Sequence, residues 1–267
     1  MRICVLASGS KGNSTFVETD NARILIDAGL SKKELENRLT LIGVSPSSIN
    51  AILVTHEHSD HIKGLAQFAK AYNTKVFAHR DSWNLIEEKA NGIPVDNQIE
   101  FNGKDFNILD MSIQSFDLDH DSNHCVGFTI IEGNKKFSTA TDLGHMTLDI
   151  EQRLKQSDLI TIESNHDIQT LLNNPHYPYS LKQRILSQHG HISNEECSKT
   201  ILSLLGFNTR GVILGHLSEQ NNTKEKAIET LNQTLVSAGV TKDDFNLKVY
   251  VAEQHTPSKI FKIKDVT

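Results

Sequence analysis

Thiols are scarce in this chain. Its three cysteines, Cys4, Cys125 and Cys197, are odd in number, widely spaced and without a CxxC pair. That argues against a disulfide framework and against a thiolate zinc site. Long apolar runs are missing too. Stretches such as "ARILIDAGL" fall far short of the ~20 residues that span a bilayer. The start, "MRICVLASGSKGNS", breaks its apolar run too early to read as a secretory signal. A soluble, cytoplasmic protein with no membrane partner is therefore expected. Excess positive charge is absent, the net being −6, so nothing draws the chain as a whole towards nucleic acid or anionic lipid. A phosphodiester substrate is not thereby excluded, because bound divalent cations would reverse the local sign. Aromatics (6%) and prolines (5) are few in an otherwise ordinary globular composition. The 267 residues are ample for a real core, and with no repeat or linker they are read as one domain, 1–267.

What the chain does have is histidine, 13 in all, many within one or two positions of another His or an Asp. "AILVT" reads as a buried strand that runs straight into "THEHSDH", residues 55–61. His56 and His58 are two apart, so in an extended segment they point to one side. Asp60 and His61 fall where the chain turns towards a helix, and they can face elsewhere. The stretch suits one metal taking His56 and His58 and a neighbour taking Asp60 and His61, since bridged metals lie ~3.5–4 Å apart. Glu57 and Ser59, at the alternating positions, are expected to point away. Further ligand types follow other apolar strand runs: Asp119, His120, Asp121 and His124 in "FDLDHDSNH", Asp142 and His145 in "STATDLGH", and His216 in "GVILGHLSEQNN".

Along the rest of the chain, "RICVLAS" and "TFVET" form a strand pair joined by a Gly/Ser-rich turn. "SKKELENRLTLIG" is a helix with Ser31 as N-cap and Gly43 as stop. "LAQFAKAY" and "DSWNLIEEKANG" are helical, and "KVFAH" is a strand. The middle is strand-rich, with "FNILDMSIQSFDLDH" written as one long strand. Helices and strands then alternate to closing strands at "LKVYVAE" and "SKIFKI". Two groups of strands, each followed by helices, predict two packed sheets with helices outside.

These motifs resemble the metallo-β-lactamase superfamily: Asp27 at a strand end, then His56, His58, Asp60 and His61, then His120, Asp142 and His216. More narrowly, "LASGSKGNST", "ESNHD" at 163–167, "GHISN" at 190–194 and "GHLSEQNN" are similar to the YycJ (WalJ) family. The resemblance runs through nearly the whole chain. It implies an α/β fold of the αββα four-layer sandwich type, with two divalent metal ions, zinc or manganese, at one edge. His56, His58 and His120 would hold one ion and Asp60, His61 and His216 the other, with Asp142 bridging. Asp60 and Asp142 would also serve catalysis. Asp27 would anchor the loop from behind, with Asp121 in support. "HDSNHCVGF" favours His120 as the ligand, His124 remaining the alternative. No Cys stands where Asp142 does, unlike many lactam-hydrolysing members. His58 stands where redox di-iron members carry a glutamate, and there is no room for a β-CASP insertion.

The resemblance points to a phosphodiesterase, a 5′→3′ DNA exonuclease serving repair, in which the metals make hydroxide available near neutral pH. His191 would then lie near the scissile phosphate. Its competing reading is a helix-start residue beside the cap Ser193. Glu163 is a partner for His191 that sequence alone cannot place. "GSKGNS" is no nucleotide loop of the GxxxxGK[ST] kind, and Ser10 or Asn13 would contact substrate from a tight turn. Lys32, Lys33, Lys63, Lys182 and Arg184 flank the site in sequence as a basic rim. Two other functions stay open: a small-molecule hydrolase of the same fold acting on a lactone, thioester or cyclic phosphodiester, and a regulatory module that binds metal without catalysis. A homodimer is compatible with the sequence.

Overall fold

The computed structural model describes residues 1–207, 209–240 and 247–264. In the first sheet, β1 (Arg2–Ala7), β2 (Ser14–Glu18) and β3 (Arg23–Ile26) are antiparallel neighbours. From β3 the sheet continues in parallel through β4 (Ala51–Leu53), β5 (Lys75–His79) and β6 (Gln98–Phe101). The second sheet opens as an antiparallel meander of β7 (Phe106–Ile108), β8 (Met111–Leu118), β9 (Cys125–Glu132) and β10 (Lys135–Ala140). It continues in parallel through β11 (Leu159–Glu163), β12 (Gly211–Gly215) and β13 (Lys248–Val251). The chain then returns to the first sheet, where β14 (Phe261–Lys262) lies antiparallel to β1, so that each sheet has seven strands.

Strand alternation explains the layering. In β1, Ile3 and Val5 face the second sheet and join Ile24, Leu53, Ile113, Phe128 and Phe137 in a core between the sheets. Cys4 and Leu6, on the opposite face of the same strand, pack outward with Phe16, Leu25 and Ile52. Over them lie α1 (Lys32–Leu41), through Leu35 and Leu39, then α3 (Leu65–Tyr72), through Phe68, and α4 (Trp83–Lys89), through Trp83 and Ile86. Between α1 and α3 sits the one-turn α2 (Ser59–Ile62). The outer face of the second sheet is covered by α5 (Leu148–Leu154), α8 (Asn194–Leu204) and α9 (Lys224–Ser237), which bring Leu154, Ile201 and Leu231 onto Ile160, Ile162 and Leu214. Two short helices, α6 (Ile168–Asn173) and α7 (Tyr179–Ile185), precede α8. The fold is the four-layer αββα sandwich, and both faces of each sheet are buried, as near-continuous apolar strands require. Each fully buried Leu, Ile or Phe contributes about 1.5–3 kcal/mol.

Two local expectations need correction, and one helix, α6, is additional to those expected. The stretch 106–118 is two strands, because Leu109 adopts a left-handed backbone (φ 54) and Asp110 turns the chain. Asp110 then accepts hydrogen bonds from Thr19 Oγ1 at 2.7 Å and from the Asn21 backbone at 3.2 Å. The helix α6 has only a weak apolar pattern, and its start is fixed by Asp167, whose carboxylate accepts from Thr170 N at 2.8 Å. "SKIFKI" shrinks to the two paired residues of β14. Ser31 and Ser193 do cap α1 and α8, accepting from Glu34 N and Glu196 N.

The strands that carry chemistry all end at one edge. β3, β4, β8, β10, β11 and β12 finish there, and the loops that follow them face each other across the sandwich. This is the usual position for a site in parallel-sheet proteins. Gly29, in the loop after β3, lets that edge close: a Cβ there would lie 1.6 Å from the Asp60 carbonyl oxygen and 2.6 Å from Asn13 N. Both obstacles are backbone, so neither can swing aside. Gly29→Ala is expected to cost about 1–3 kcal/mol in urea unfolding and to weaken divalent-metal binding in the same preparation. An unchanged midpoint with unchanged metal binding would show that the loops are not fixed by this contact.

Candidate metal centre

Six segments meet at the edge. Asp27 ends β3, the 55–61 stretch follows β4, His120 follows β8, Asp142 follows β10, Glu163 ends β11 and His216 follows β12. Three of these residues have left-handed backbones, Asp27 (φ 64), Asp142 (φ 64) and His216 (φ 52). Such a conformation costs a non-glycine residue on the order of 1–3 kcal/mol and persists only where surrounding structure enforces it. Here it turns each side chain back over the sheet edge.

The ligand-type atoms fall into overlapping groups, each within 4.8 Å: His56, His58 and His120; Asp60, His61 and His216; and His56, His61 and Asp142. Asp142 lies between them. One of its oxygens is 3.3 Å from His216 Nδ1 and 3.9 Å from His120 Nε2, and the other is 3.3 Å from His61 Nε2. Asp60 Oδ2 is 3.5 Å from His61 Nε2 and 3.9 Å from His216 Nε2.

In His61, His120 and His216 one ring nitrogen is fixed from behind, which sets the tautomer and the orientation of the other. His61 Nδ1 donates to Asp27 Oδ2 at 2.7 Å. The same Asp27 carboxylate accepts from Thr55 N at 2.8 Å and Thr55 Oγ1 at 2.9 Å. His120 Nδ1 donates to the Gly190 carbonyl at 3.1 Å, and His216 Nδ1 donates to Glu163 Oε1 at 2.8 Å. Glu163 is fully buried. Its Oε1 also accepts from His191 Nδ1 at 2.8 Å, and its Oε2 from Leu143 N at 3.1 Å.

The residues fit divalent cations. His56 Nε2, His216 Nε2 and Asp142 Oδ2 are buried without a hydrogen-bond partner, an arrangement that is costly unless something else satisfies them. Burial, reinforced by His61, pushes the His56 imidazole well below its ordinary value and leaves its lone pair free. Burial also opposes charge on His61, but Asp27, Asp142 and Asp60 outweigh it and raise that ring well above the usual range. For Asp142, burial works against ionisation, yet His216 and His61 hold the carboxyl well below its ordinary value. The pocket demands positive charge. With imidazole and carboxylate donors and no thiolate, it suits divalent metal ions.

Each expected residue has a definite place. His56, His58, Asp60, His61, His120, Asp142 and His216 come together. His124 does not: its ring stacks on His79 with centroids 3.7 Å apart, and its Nε2 is 3.1 Å from Asp117. Asp121 sits beside the centre, 3.3 Å from His120 Nε2 and paired with Arg184. Ser10 is exposed on a groove of about 190 Å³ beside the ligand cluster, lined also by His191, His216, Asp121, Arg184 and Tyr177. Asn13 is a correction. Its buried amide is committed to Gly9 O, Asp60 Oδ2 and His61 Nε2 at 3.0–3.1 Å, so it holds the loop rather than facing substrate. Of the expected basic rim, Arg184 lines the groove, while Lys32 is tied to Glu36 and Lys182 to the Leu172 carbonyl.

Some parts of the site carried no sequence signal. Glu57 points away from the ligands but into the protein, 2% exposed, where its Oε1 accepts from Asn123 N at 2.9 Å. Ser8 Oγ accepts from His216 N at 2.7 Å, and Asn165 Nδ2 donates to His216 O at 2.9 Å. Only the crossing of distant loops brings these groups together.

Comparison with known proteins places the chain among relatives. A family model described as a beta-lactamase superfamily domain matches residues 22–216. The chain is 36% identical over 240 residues to the exodeoxyribonuclease YycJ of Bacillus anthracis, covering 90% of each. It is 37% identical over 264 residues to the exodeoxyribonuclease WalJ of Streptococcus pneumoniae, covering 97% of each. Among solved structures, the metallo-beta-lactamase fold protein YhfI from Bacillus subtilis superposes with a TM-score of 0.72, at 13% identity over 97% of this chain and 99% of that one. No described helix is long and apolar enough to cross a membrane.

If Asp27 orients His61, Asp27→Asn should lower divalent-metal affinity by about 10–100-fold. Competition with a chelating dye would measure it. Wild-type affinity in a folded variant would remove Asp27 from the centre's support.

Proposed function

The chain belongs to the beta-lactamase superfamily, in its YycJ (WalJ) family, and is a metal-dependent hydrolase of the nuclease type; from that premise we propose that it is a two-metal exodeoxyribonuclease. The observation that carries the two-ion count is the buried Asp142 carboxylate, flanked by one set of imidazoles at His56, His58 and His120 and a second set at His61 and His216 with Asp60. Both sheets supply ligands, which supports treating residues 1–267 as one domain. DNA, as the substrate named for the two relatives, and a 5′→3′ direction are part of this proposal.

Two divalent ions, zinc or manganese, would supply an activated water and offset charge on the reacting phosphate. Asp142, lying between the two imidazole sets, would serve both ions, and each set would hold one. Asp60, oriented by Asn13 and kept ionised below its ordinary range by His61 and His216 against burial, would complete the second ligand set and accept a hydrogen bond that orients the attacking water. His191 faces the groove beside His216. Burial disfavours its protonation, but the Glu163 carboxylate outweighs burial and raises it above the ordinary imidazole value. Glu163 itself is lowered to about 2 by His191 and His216 against burial. The pair therefore keeps a proton on His191 Nδ1 and leaves Nε2–H to protonate the departing oxygen. Arg184, on the far rim of the groove, offers the backbone a cation.

End-labelled duplex DNA incubated with the manganese-loaded protein should shorten from one end, and His58→Ala should abolish the reaction. Undiminished activity in that variant would assign the nuclease to a contaminant. The acid role gives a second test with a definite sign. Because the folded pKa of His191 is raised, the acid form persists above the ordinary imidazole range, and kcat on DNA should fall as pH rises through that value. His191→Gln should lower kcat on DNA by about 10²–10⁴-fold. It should spare bis(p-nitrophenyl) phosphate, whose leaving group needs no proton. An equal loss on both substrates would contradict the role.

A further inference from the structure

A net charge of −6 conceals where the cations lie. At the end of the second sheet remote from the metal ligands, Arg210 and Lys248 stand at the starts of β12 and β13. Across the gap between the sheets' edge strands lie Lys259, Lys262 and Lys264, on β14 and its flanks. Together they line a cleft of about 450 Å³. All five cations are exposed. Among the described residues none of them has an ion-pair partner. The cleft's one acid, Asp158, is turned to the Lys136 backbone, which donates to its carboxylate at 2.9 Å.

Lysines on edge strands also discourage unwanted strand pairing, but that task needs charge alone. Here the cations share the cleft with aromatic faces. Lys259 Nζ lies 4.0 Å from the centre of the Tyr250 ring, which is itself half-buried and edge-on to Phe261 at 4.7 Å. Phe261 is buried and Lys259 covers the Tyr250 ring, so the rings position this lysine, while the unpaired Arg210, Lys248, Lys262 and Lys264 offer the phosphate contacts that a nucleic-acid strand uses. Five residue steps along β12 lie between Gly211, on the cleft, and His216, in the ligand cluster, a straight-line distance of about 16 Å.

We infer that this cleft is an exosite for the phosphate backbone of a nucleic-acid strand, gripping it one strand-length away from the bond being cut. The inference takes its ligand class from the nuclease reading. It explains how an acidic protein can hold a polyanion: the positive charge is gathered where, among the described residues, no carboxylate pairs with it. The exosite contributes to binding long substrates and contributes nothing to small ones.

The test is the triple variant Lys248→Ala, Lys262→Ala, Lys264→Ala in the metal-loaded protein. All three side chains are exposed, so the fold should survive. Binding of a fluorescent, phosphorothioate-protected single strand about 16 nucleotides long is read by anisotropy across a salt series. The dissociation constant is expected to rise at least tenfold, and the slope of log K against log salt to fall by roughly 2, since each lost contact removes about 0.7. Turnover of bis(p-nitrophenyl) phosphate should stay unchanged, and the Lys→Arg triple should bind as wild type does. Unchanged strand affinity and salt slope would overturn the exosite. So would conversion of a wild-type dimer to monomer in the variant, which would assign the face to self-association. A wild-type protein that binds the strand through these lysines but never cleaves DNA would sustain the exosite and sink the nuclease reading.

Discussion

A carboxylate with almost no access to water sits among imidazoles where the two sheets meet. Asp142, 2% exposed, has His61, His120 and His216 within 3.9 Å. Burying such a group is expensive unless it is neutralised and fully coordinated. Most of what surrounds it follows from that demand. The chain accepts left-handed backbones at Asp27, Asp142 and His216 so that their side chains can turn back over the sheet edge. It excludes a side chain at Gly29 so that the Asp60 loop can approach. The sandwich core supplies the stability that this edge draws upon.

The supports show a correspondence between the two sheets. On the first, a buried acid at a strand end, Asp27, fixes the far nitrogen of His61. On the second, a buried acid at a strand end, Glu163, fixes the far nitrogen of His216. His61 thereby presents Nε2 towards Asp60 and Asp142, and His216 presents Nε2 towards Asp60. The two acids differ in one respect. Asp27 spends its remaining capacity on Thr55, which only holds the loop, whereas Glu163 spends it on His191, which faces the groove. One support is purely positional, and the other extends from the metals to the substrate side.

Much of this was legible in the sequence because several ligand-type residues of the cluster lie close along the chain. HxHxDH is readable as a motif since strand period and the following turn dictate where each side chain goes. Asp142 and His216 are readable as residues that follow apolar strand runs. What was not legible depends on loops crossing in space. His120 and His124 differ by four positions in one loop, and only the fold shows that His124 stacks on His79 while His120 meets His56 and His58. Asn13 looked like a substrate contact because its loop is tight and polar, yet its amide is spent on Asp60 and His61. Glu57 is a buried acid within an otherwise readable motif. The five cations of the cleft run from Arg210 to Lys264, and no window of sequence displays them as a group.

The account makes the metal centre dinuclear, with Asp142 common to both ions. Anomalous diffraction from crystals of the manganese-loaded protein tests that most directly. It should reveal two peaks about 3.5–4 Å apart, one next to His56, His58 and His120, the other next to Asp60, His61 and His216, with Asp142 contacting both. A single peak at full loading, or a pair of peaks with Asp142 outside coordinating distance of either, would contradict it.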